Sequence, residues 1–134
     1  MIVVDTSAVI AIMGEEREAE RFRDILAHSE ATQISAASVL EATQVASRWG
    51  EPSAIDAIDA LIASFEIDIA PFDAAQLAIA RAGFLKFGKG RGHPAQLNLG
   101  DCFAYALAKS RNAPLLFAGD DFSQTDIRSA ALAA

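Results

Sequence analysis

The sequence predicts one α/β domain over residues 1–134, with a mostly parallel sheet of about four to five strands and helices on both faces. Short apolar runs alternate with longer segments of helical periodicity, which is typical of parallel strands joined by crossover helices. Hydrophobic residues make up 52% of the chain, enough for a sizeable core. No repeat or Pro/Ser-rich linker divides the sequence into further domains.

The first half of the chain begins with an apolar run at residues 2–4, which predicts a strand. Residues 7–13 predict a helix that ends at Gly14, and residues 16–28 carry apolar side chains on one helical face. A short strand is expected at 33–35. The next helix covers 36–49 and is closed by Gly50 and Pro52.

The second half repeats this alternation. Residues 53–64 have an apolar stripe with helical spacing, residues 66–70 predict a strand, and residues 73–87 predict another helix. Residues 88–99 are expected to form a loop. Residues 101–111 predict the last helix, and residues 115–117 predict the last strand.

Four carboxylates are expected at the edge where parallel strands end, which is where such sheets bind ligands. Asp5 follows the first strand, and Glu41 lies near the start of the helix after the second strand. The helix that Asp101 begins carries the chain away by ~16 Å, and the next strand brings it back. Asp121 is therefore expected near Asp101.

Each of these acidic residues also has a structural interpretation when it is taken alone. Helix capping and solvated turns both use Asp, Ser and Thr. The capping candidates are Asp5 with Thr6 and Ser7, the box Ser38-x-x-Glu41, and Asp101; the turn candidate is Asp120-Asp121. Thr6 and Ser7 are also candidates for orienting Asp5 or a metal-bound water through their hydroxyls.

The formal net charge of −7 argues against broad contact with nucleic acid, unless acidic residues surround a cation. Two carboxylates ~4 Å apart repel by roughly 4 kcal/mol at an effective dielectric of ~20, so a converging set needs protons or a divalent cation. Oxygen ligands without His or Cys suit Mg²⁺ or Mn²⁺, and such ions support phosphate hydrolysis.

A basic loop precedes the helix of Asp101. The segment KFGKGRGHP carries Lys86, Lys89, Arg91 and His93, and its glycines let the backbone approach a ligand closely. The loop is a candidate for binding phosphates, with an ordinary solvated loop as the alternative. His93 is either an acid–base group or simply an exposed side chain.

The sequence resembles PIN-domain proteins, and specifically the VapC-type toxins of bacterial toxin–antitoxin pairs. The resemblance covers nearly the whole chain and rests on VVDTSAVIAI, ASVLEATQV and the segment from Lys86 to Ile127, which is the most specific part. It implies a parallel α/β fold and a metal-dependent endoribonuclease that cuts RNA to stop translation. The implied catalytic and metal-binding set is Asp5, Glu41, Asp101 and Asp121, with Mg²⁺ or Mn²⁺.

The resemblance leaves the fourth acid open. Many family members carry Asp or Asn two residues before the final Asp-Phe, where this chain has Gly119, so Asp120 could take the role of Asp121. Asp121 is favoured because it directly precedes Phe122. Asp126 is expected either to support the site or to cap a helix.

The resemblance also implies an RNA substrate, a homodimer, and a VapB-type antitoxin in a heterotetramer or larger assembly. Ala19, Phe22 and the stripe at 55–62 are the expected contact surface, unless they pack on the protein's own sheet. The single cysteine, Cys102, fits a reducing cytoplasm and a buried position under the site. No apolar run approaches the ~20 residues that a membrane helix needs.

Two other functions fit the sequence less well. A phospho-acceptor receiver domain also gathers acids at a sheet edge, but it needs an acidic pair near the first strand and a Lys after the last one. A catalytically degenerate PIN-fold module would act only through partner or RNA binding. The four filled acidic positions favour the enzyme.

Overall fold

The computed structural model describes residues 1–131, which form four strands and six helices. The strands are β1 (Ile2–Val4), β2 (Thr32–Ser35), β3 (Asp68–Ala70) and β4 (Leu115–Leu116). The helices are α1 (Thr6–Met13), α2 (Ala19–His28), α3 (Ala36–Ser47), α4 (Ser53–Ser64), α5 (Ala74–Phe87) and α6 (Leu99–Arg111). The sheet order is β3-β2-β1-β4 and every pairing is parallel, which confirms the predicted fold class.

The core lies on both faces of this sheet because successive side chains of a strand point to opposite sides. Val4 and Leu116 face a cluster built from α1, α2, α3 and α4. Val3 and Leu115 face a second cluster built largely from α5 and α6. Helices therefore cover both faces, as the apolar runs of the strands predict. Among residues 1–131, no helix is both long and apolar enough to cross a membrane.

Several element boundaries differ from the sequence prediction where the backbone enters the left-handed region. Glu15 has a φ of 50°, and α2 begins only at Ala19, three residues later than expected. Glu66 has a φ of 52° just after α4, so β3 begins at Asp68 rather than at residue 66. Extended strand geometry excludes positive φ values, and this shortens the strand.

The helix starts decide which capping interpretations hold. Asp5 caps α1, as one interpretation has it. Ser35 caps α3, so the capping-box interpretation of Glu41 is wrong, and Glu41 lies inside the helix. Asn98 caps α6, so Asp101 is not an N-cap but the third residue of that helix.

Candidate acidic site

The carboxyl ends of β1, β2 and β4 lie side by side, since these strands are parallel neighbours. β1 leads directly to Asp5, β2 leads into α3 with Glu41, and β4 leads into the segment that carries Asp121. The first turn of α6, which carries Asp101, also lies at this edge, next to Glu41. The predicted carboxylates thus come from four separate chain segments.

Asp5 is buried, with 3% of its surface exposed. One carboxylate oxygen, Oδ2, accepts a hydrogen bond from the backbone N–H of Ser7 at 3.0 Å. The other, Oδ1, is buried and has no hydrogen-bond partner among residues 1–131. Burial raises the pKa of Asp5 to about 6, the hydrogen bonds from Ser7 oppose this shift, and the charge of Glu41 adds to it.

Asp101 is fixed by a reciprocal pair of hydrogen bonds at the start of α6. Its backbone N–H donates to the side-chain oxygen of Asn98 at 2.9 Å, and its Oδ2 accepts from the N–H of Asn98 at 3.0 Å. Asp101 is only 8% exposed, and burial raises its pKa to about 7. The bond from Asn98 opposes the rise, which the charges of Asp5, Asp121 and Glu41 reinforce.

These mutual effects bring the four predicted acids into one electrostatic group. Asp101 responds to the charges of Asp5, Asp121 and Glu41, and Asp5 responds to Glu41. Neither Asp5 nor Asp101 has a basic side chain among the groups that shift its pKa. The site therefore concentrates negative charge without internal compensation, which favours a proton or a cation there.

Glu41 reaches the first turn of α6 because position 100 is a glycine. A Cβ built on Gly100 would lie 1.7 Å from Oε2 of Glu41, closer than any real contact. The Glu41 carboxylate therefore occupies the space of a missing side chain, next to Asp101. Asn98 and Gly100 were not among the residues singled out from the sequence, although Asn98-x-x-Asp101 has capping-box spacing.

The choice of the fourth acid concerns two exposed neighbours, Asp120 and Asp121. The backbone oxygen of Asp120 accepts from the N–H of Ser123 at 3.1 Å and so closes a turn. Asp121, and not Asp120, contributes to the raised pKa of Asp101. This electrostatic coupling favours Asp121, in line with its place before Phe122.

The donor chemistry of the group fits a hard divalent cation, because every candidate ligand atom is a carboxylate oxygen. The unpartnered Oδ1 of buried Asp5 supplies an oxygen without a competing hydrogen bond. Among residues 1–131, however, no cluster of three or more His, Cys, Asp or Glu side chains is already arranged to hold a metal ion.

Thr6 and Ser7 contact other segments in addition to Asp5. The hydroxyl of Thr6 donates to the backbone oxygen of Ser38 at 2.9 Å, so it does not bind Asp5. The Ser7 backbone N–H binds Asp5, while its side-chain oxygen accepts from the N–H of Ala118 at 3.0 Å. Ser7 therefore contacts Asp5 directly through its backbone N–H, whereas the hydroxyl of Thr6 binds α3.

Backbone hydrogen bonds of 2.8 and 2.9 Å join the two ends of the basic loop, from Lys89 to Leu97 and from Leu97 to Phe87. Lys86 and the ring of His93 both pack on Phe87, with Nζ 5.0 Å and the imidazole 4.9 Å from its centroid. The exposed side chains of Lys89 and Arg91 remain on the outside of the loop.

The contacts of His93 and Asp126 argue for structural roles. Nδ1 of His93 accepts from the N–H of Ala95 at 3.0 Å. Asp126 lies 3.0 Å from Nζ of Lys109 and is not among the groups that shift Asp5 or Asp101. Within the described chain, no helix begins near Asp126, so the helix-cap interpretation is wrong. Cys102 is buried next to Asp101, as expected.

The expected contact surface is largely wrong, because most of its residues belong to the protein's own core. Ala19 and Phe22 are each 2% exposed, and three residues of the 55–62 stripe on α4 are also buried: Ile58, Leu61 and Ile62. Large apolar side chains are exposed elsewhere. Leu40 (71%) and Leu99 (75%) flank an open cleft of about 450 Å³ that Glu41 and Phe103 also line.

Comparison with known proteins gives concordant results. The PIN domain matches residues 2–128. Ribonuclease VapC28 of Mycobacterium tuberculosis is 43% identical over 129 residues, which cover 96% of this chain and 97% of that protein. The crystal structure of Mycobacterium tuberculosis VapC20, described as a Sarcin-Ricin loop cleaving toxin, superposes with a TM-score of 0.74 at 16% identity, covering 96% and 99%.

A further solved structure, VapBC2 from Rickettsia felis bound to a DNA fragment from its promoter, gives a TM-score of 0.71 at 18% identity. It covers 96% of this chain and 97% of the matched chain. At these identities the two structural matches support the fold.

Proposed function

The chain belongs to the PIN-domain family, and on that premise we propose that it is the toxin of a toxin–antitoxin pair that hydrolyses RNA phosphodiester bonds with Mg²⁺ or Mn²⁺. The observation that carries this proposal is the uncompensated group of Asp5, Glu41, Asp101 and Asp121. Two members of this group have pKa values of about 6 and about 7, far above the usual value of 3.8. Names of relatives such as ribonuclease VapC28 support the reaction class.

The four carboxylates would hold the cation, and Asn98 and Gly100 prepare two of them. Asn98 fixes the rotamer of Asp101, and Gly100 gives Glu41 room beside it. When bound, a divalent cation lowers the pKa of a water and neutralises charge on the phosphate. Asp5 and Asp101 would give up their protons on binding, so the affinity for the cation should rise with pH.

The basic loop is the proposed contact for the RNA backbone. Lys89 and Arg91 present exposed positive charges, and the loop ends at Asn98, the residue that caps α6 and fixes Asp101. Charge on this loop would offset the repulsion between an acidic protein and phosphate. Lys86 and His93 would contribute mainly by packing on Phe87 and shaping the loop.

We propose a VapB-type antitoxin as the partner, in a homodimer-based heterotetramer or larger assembly. The structural relative from Rickettsia felis is a VapBC complex. The exposed apolar cleft beside Glu41 is a better candidate for a contact surface than the buried stripe of α4. A chain that covered Leu40 and Leu99 would also restrict access to the acidic group.

The proposal is tested by incubating total cellular RNA with purified protein, free of any partner, in Mg²⁺, Mn²⁺ or EDTA. Discrete fragments are expected with either ion and should disappear in EDTA and with Asp101→Asn. Asp59→Asn, which removes an exposed carboxylate on α4, is the matched control and should cleave like the wild type. Folded wild-type protein that cleaves no RNA with either ion would contradict the proposal.

A second candidate function is a degenerate PIN module that acts only by binding a partner or RNA. The observation in its favour is the exposed apolar cleft flanked by Leu40 and Leu99, a surface suited to binding a partner. Expression in a bacterial host separates the two functions. If the protein is an enzyme, Asp5→Asn and Asp101→Asn should abolish growth arrest but still bind the antitoxin. If it is a binding module, both variants should keep most of the growth arrest and of the antitoxin binding.

A further inference from the structure

The segment after β4 carries Asp121 to the acidic group without regular secondary structure of its own. β4 ends at Leu116, whose backbone oxygen accepts the last ladder bond, from the N–H of Asp5 at 3.0 Å. Phe122 is buried and packs 5.2 Å from the ring of Phe117, which anchors the far end of the segment. The path between these anchors determines where Asp121 lies.

Ser7 binds the backbone of this segment at Ala118, between the two anchors. The N–H of Ala118 donates to Oγ of Ser7 at 3.0 Å, a contact across 111 positions in sequence. The same serine holds Asp5 through its backbone N–H, and its side chain also lowers the pKa of Asp5. One residue therefore touches the first acid directly and the segment of the fourth acid through one hydrogen bond.

The backbone turns immediately after this bond. Gly119 has a φ of 85°, in the left-handed region that glycine adopts without strain. Besides glycine, Asn and Asp are the residues that tolerate this region best. The Ser7–Ala118 bond thus fixes the start of the turn that directs Asp120 and Asp121.

Thr6 makes the equivalent link to the second acid, Glu41. Its buried hydroxyl donates to the backbone oxygen of Ser38 at 2.9 Å, across 32 positions in sequence. Glu41 follows Ser38 by three residues on α3, so the two positions lie on neighbouring turns of one helix face. The hydrogen bond to the carbonyl of Ser38 therefore fixes the position of Glu41, along the axis of α3, relative to Asp5.

We infer that Thr6 and Ser7 are positioning residues that hold the segments of Glu41 and Asp121 in register with Asp5. This inference rests on the proposed function and adds to it the mechanism by which acids from distant segments meet. Neither hydroxyl needs to touch substrate or cation. Outer hydrogen bonds of this kind typically contribute ~10–100-fold to metal affinity or activity.

The test compares Ser7→Ala with Ser7→Thr, and Thr6→Val with Thr6→Ser, because the second variant of each pair keeps the hydroxyl. Ser110→Ala, which removes a local hydroxyl bond to Leu107 on α6, is the matched control. Three quantities are measured on the full chain: amide hydrogen exchange at Ala118, Mn²⁺ affinity without RNA, and kcat and KM for RNA cleavage.

For Ser7→Ala we expect at least ~10-fold faster exchange at Ala118, ~10-fold weaker Mn²⁺ binding and a similar fall in kcat with KM unchanged. Ser7→Thr should restore all three, and Ser110→Ala should alter none. Thr6→Val should weaken Mn²⁺ binding without changing exchange at Ala118, and Thr6→Ser should restore the affinity.

Unchanged exchange at Ala118 in Ser7→Ala would overturn the inference, as would Mn²⁺ affinity that falls equally in Ser7→Ala and Ser7→Thr. If the wild-type protein neither binds Mn²⁺ nor cleaves RNA, the proposed function fails independently. In that case amide exchange at Ala118 alone tests whether Ser7 positions the Asp121 segment. An exchange rate in Ser7→Ala equal to that of the wild type would overturn this role.

Discussion

At the first turn of α6, Asp101 is buried near three other carboxylates, whereas Asp126 packs against a later turn of the same helix with Lys109 and Tyr105 around it. Burial raises the pKa of Asp101 to about 7. Burial also acts on Asp126, but the contacts with Lys109 and Tyr105 outweigh it and lower the pKa of that carboxyl.

The difference between these carboxylates separates a functional charge from a structural one. Asp126 has its counter-charge within the chain, so it needs nothing from outside. Within residues 1–131 the Asp101 carboxylate accepts one hydrogen bond, from the N–H of Asn98, and has further negative charge nearby, so its ionised form is unfavourable until a cation arrives. A folded protein keeps such a cost mainly where function requires it.

The largest expected difference between these regions is in catalysis. Asp101→Asn should reduce RNA cleavage by at least ~100-fold, more than the loss of an outer hydrogen bond, although Asn retains the oxygen that accepts from Asn98. Asp126→Asn should change kcat by less than about 3-fold, because its partners lie outside the acidic group. Single-turnover cleavage of a defined RNA measures the rate of both variants. Equal losses of rate in Asp101→Asn and Asp126→Asn would contradict the assignment of different roles to the two carboxylates.

Two glycines extend the comparison, because each leaves room for one side chain. Gly100 makes room for Glu41 beside Asp101, and Gly83 makes room for Tyr105, which contacts Asp126. In Gly100→Ala, the Cβ would displace the mobile end of Glu41, so cleavage should fall by ~10–100-fold with little loss of stability. In Gly83→Ala, the Cβ would lie 2.4 Å from the buried ring of Tyr105, so unfolding should become easier by ~1–3 kcal/mol with cleavage retained.

Denaturant unfolding and cleavage assays on both glycine variants test this. In a Glu41→Ala background, Gly100→Ala should lose its effect on activity. A stability loss in Gly100→Ala that matches Gly83→Ala would contradict the expectation that the Glu41 side chain gives way to the added Cβ.

The pH dependence of stability should have opposite signs in the two regions. The folded pKa values of Asp5 and Asp101 exceed 3.8, so the folded state holds extra protons between about pH 4 and 7 and loses stability as pH rises through this range. In EDTA, Asp101→Asn should therefore be more stable than the wild type at pH 8. This advantage should shrink toward pH 4 by up to ~1.4 kcal/mol per pH unit.

Urea unfolding of both proteins at pH 8, 6 and 5 measures this advantage. Adding Mn²⁺ at pH 8 should stabilise the wild type more than Asp101→Asn. An advantage that grows as the pH falls would contradict the account of Asp101.

The smallest expected effect concerns the paired carboxylate. Lys109→Met should destabilise the protein by only ~0.2–1 kcal/mol, because both partners are about two-fifths exposed and water screens the pair. Folding lowers the pKa of Asp126. The ion pair therefore contributes fully at pH values above the pKa of Asp126 in the unfolded protein, and this contribution is lost as the pH falls through the pKa in the folded protein. Thermal unfolding should show the full loss at pH 7 and a smaller loss at pH 3.

The sequence predicts the acidic edge well because the periodicity of strands and helices places Asp5, Glu41 and Asp101 in order along a parallel sheet. It does not reveal the residues that prepare those acids. Gly100 matters through a space that only the packed structure shows, and the Ser7–Ala118 bond joins positions far apart in sequence. The amphipathic stripes at Phe22 and Ile58 look alike whether they meet a partner or the sheet.

The most direct test of the account is a calorimetric titration of Mn²⁺ into partner-free protein at pH 8, for the wild type, Asp101→Asn and Asp126→Asn. We predict binding by the wild type and by Asp126→Asn with the same affinity, and at least ~10-fold weaker binding by Asp101→Asn. Equal affinities in all three proteins, or no binding by folded wild type, would contradict the claim that the uncompensated carboxylates form the functional site.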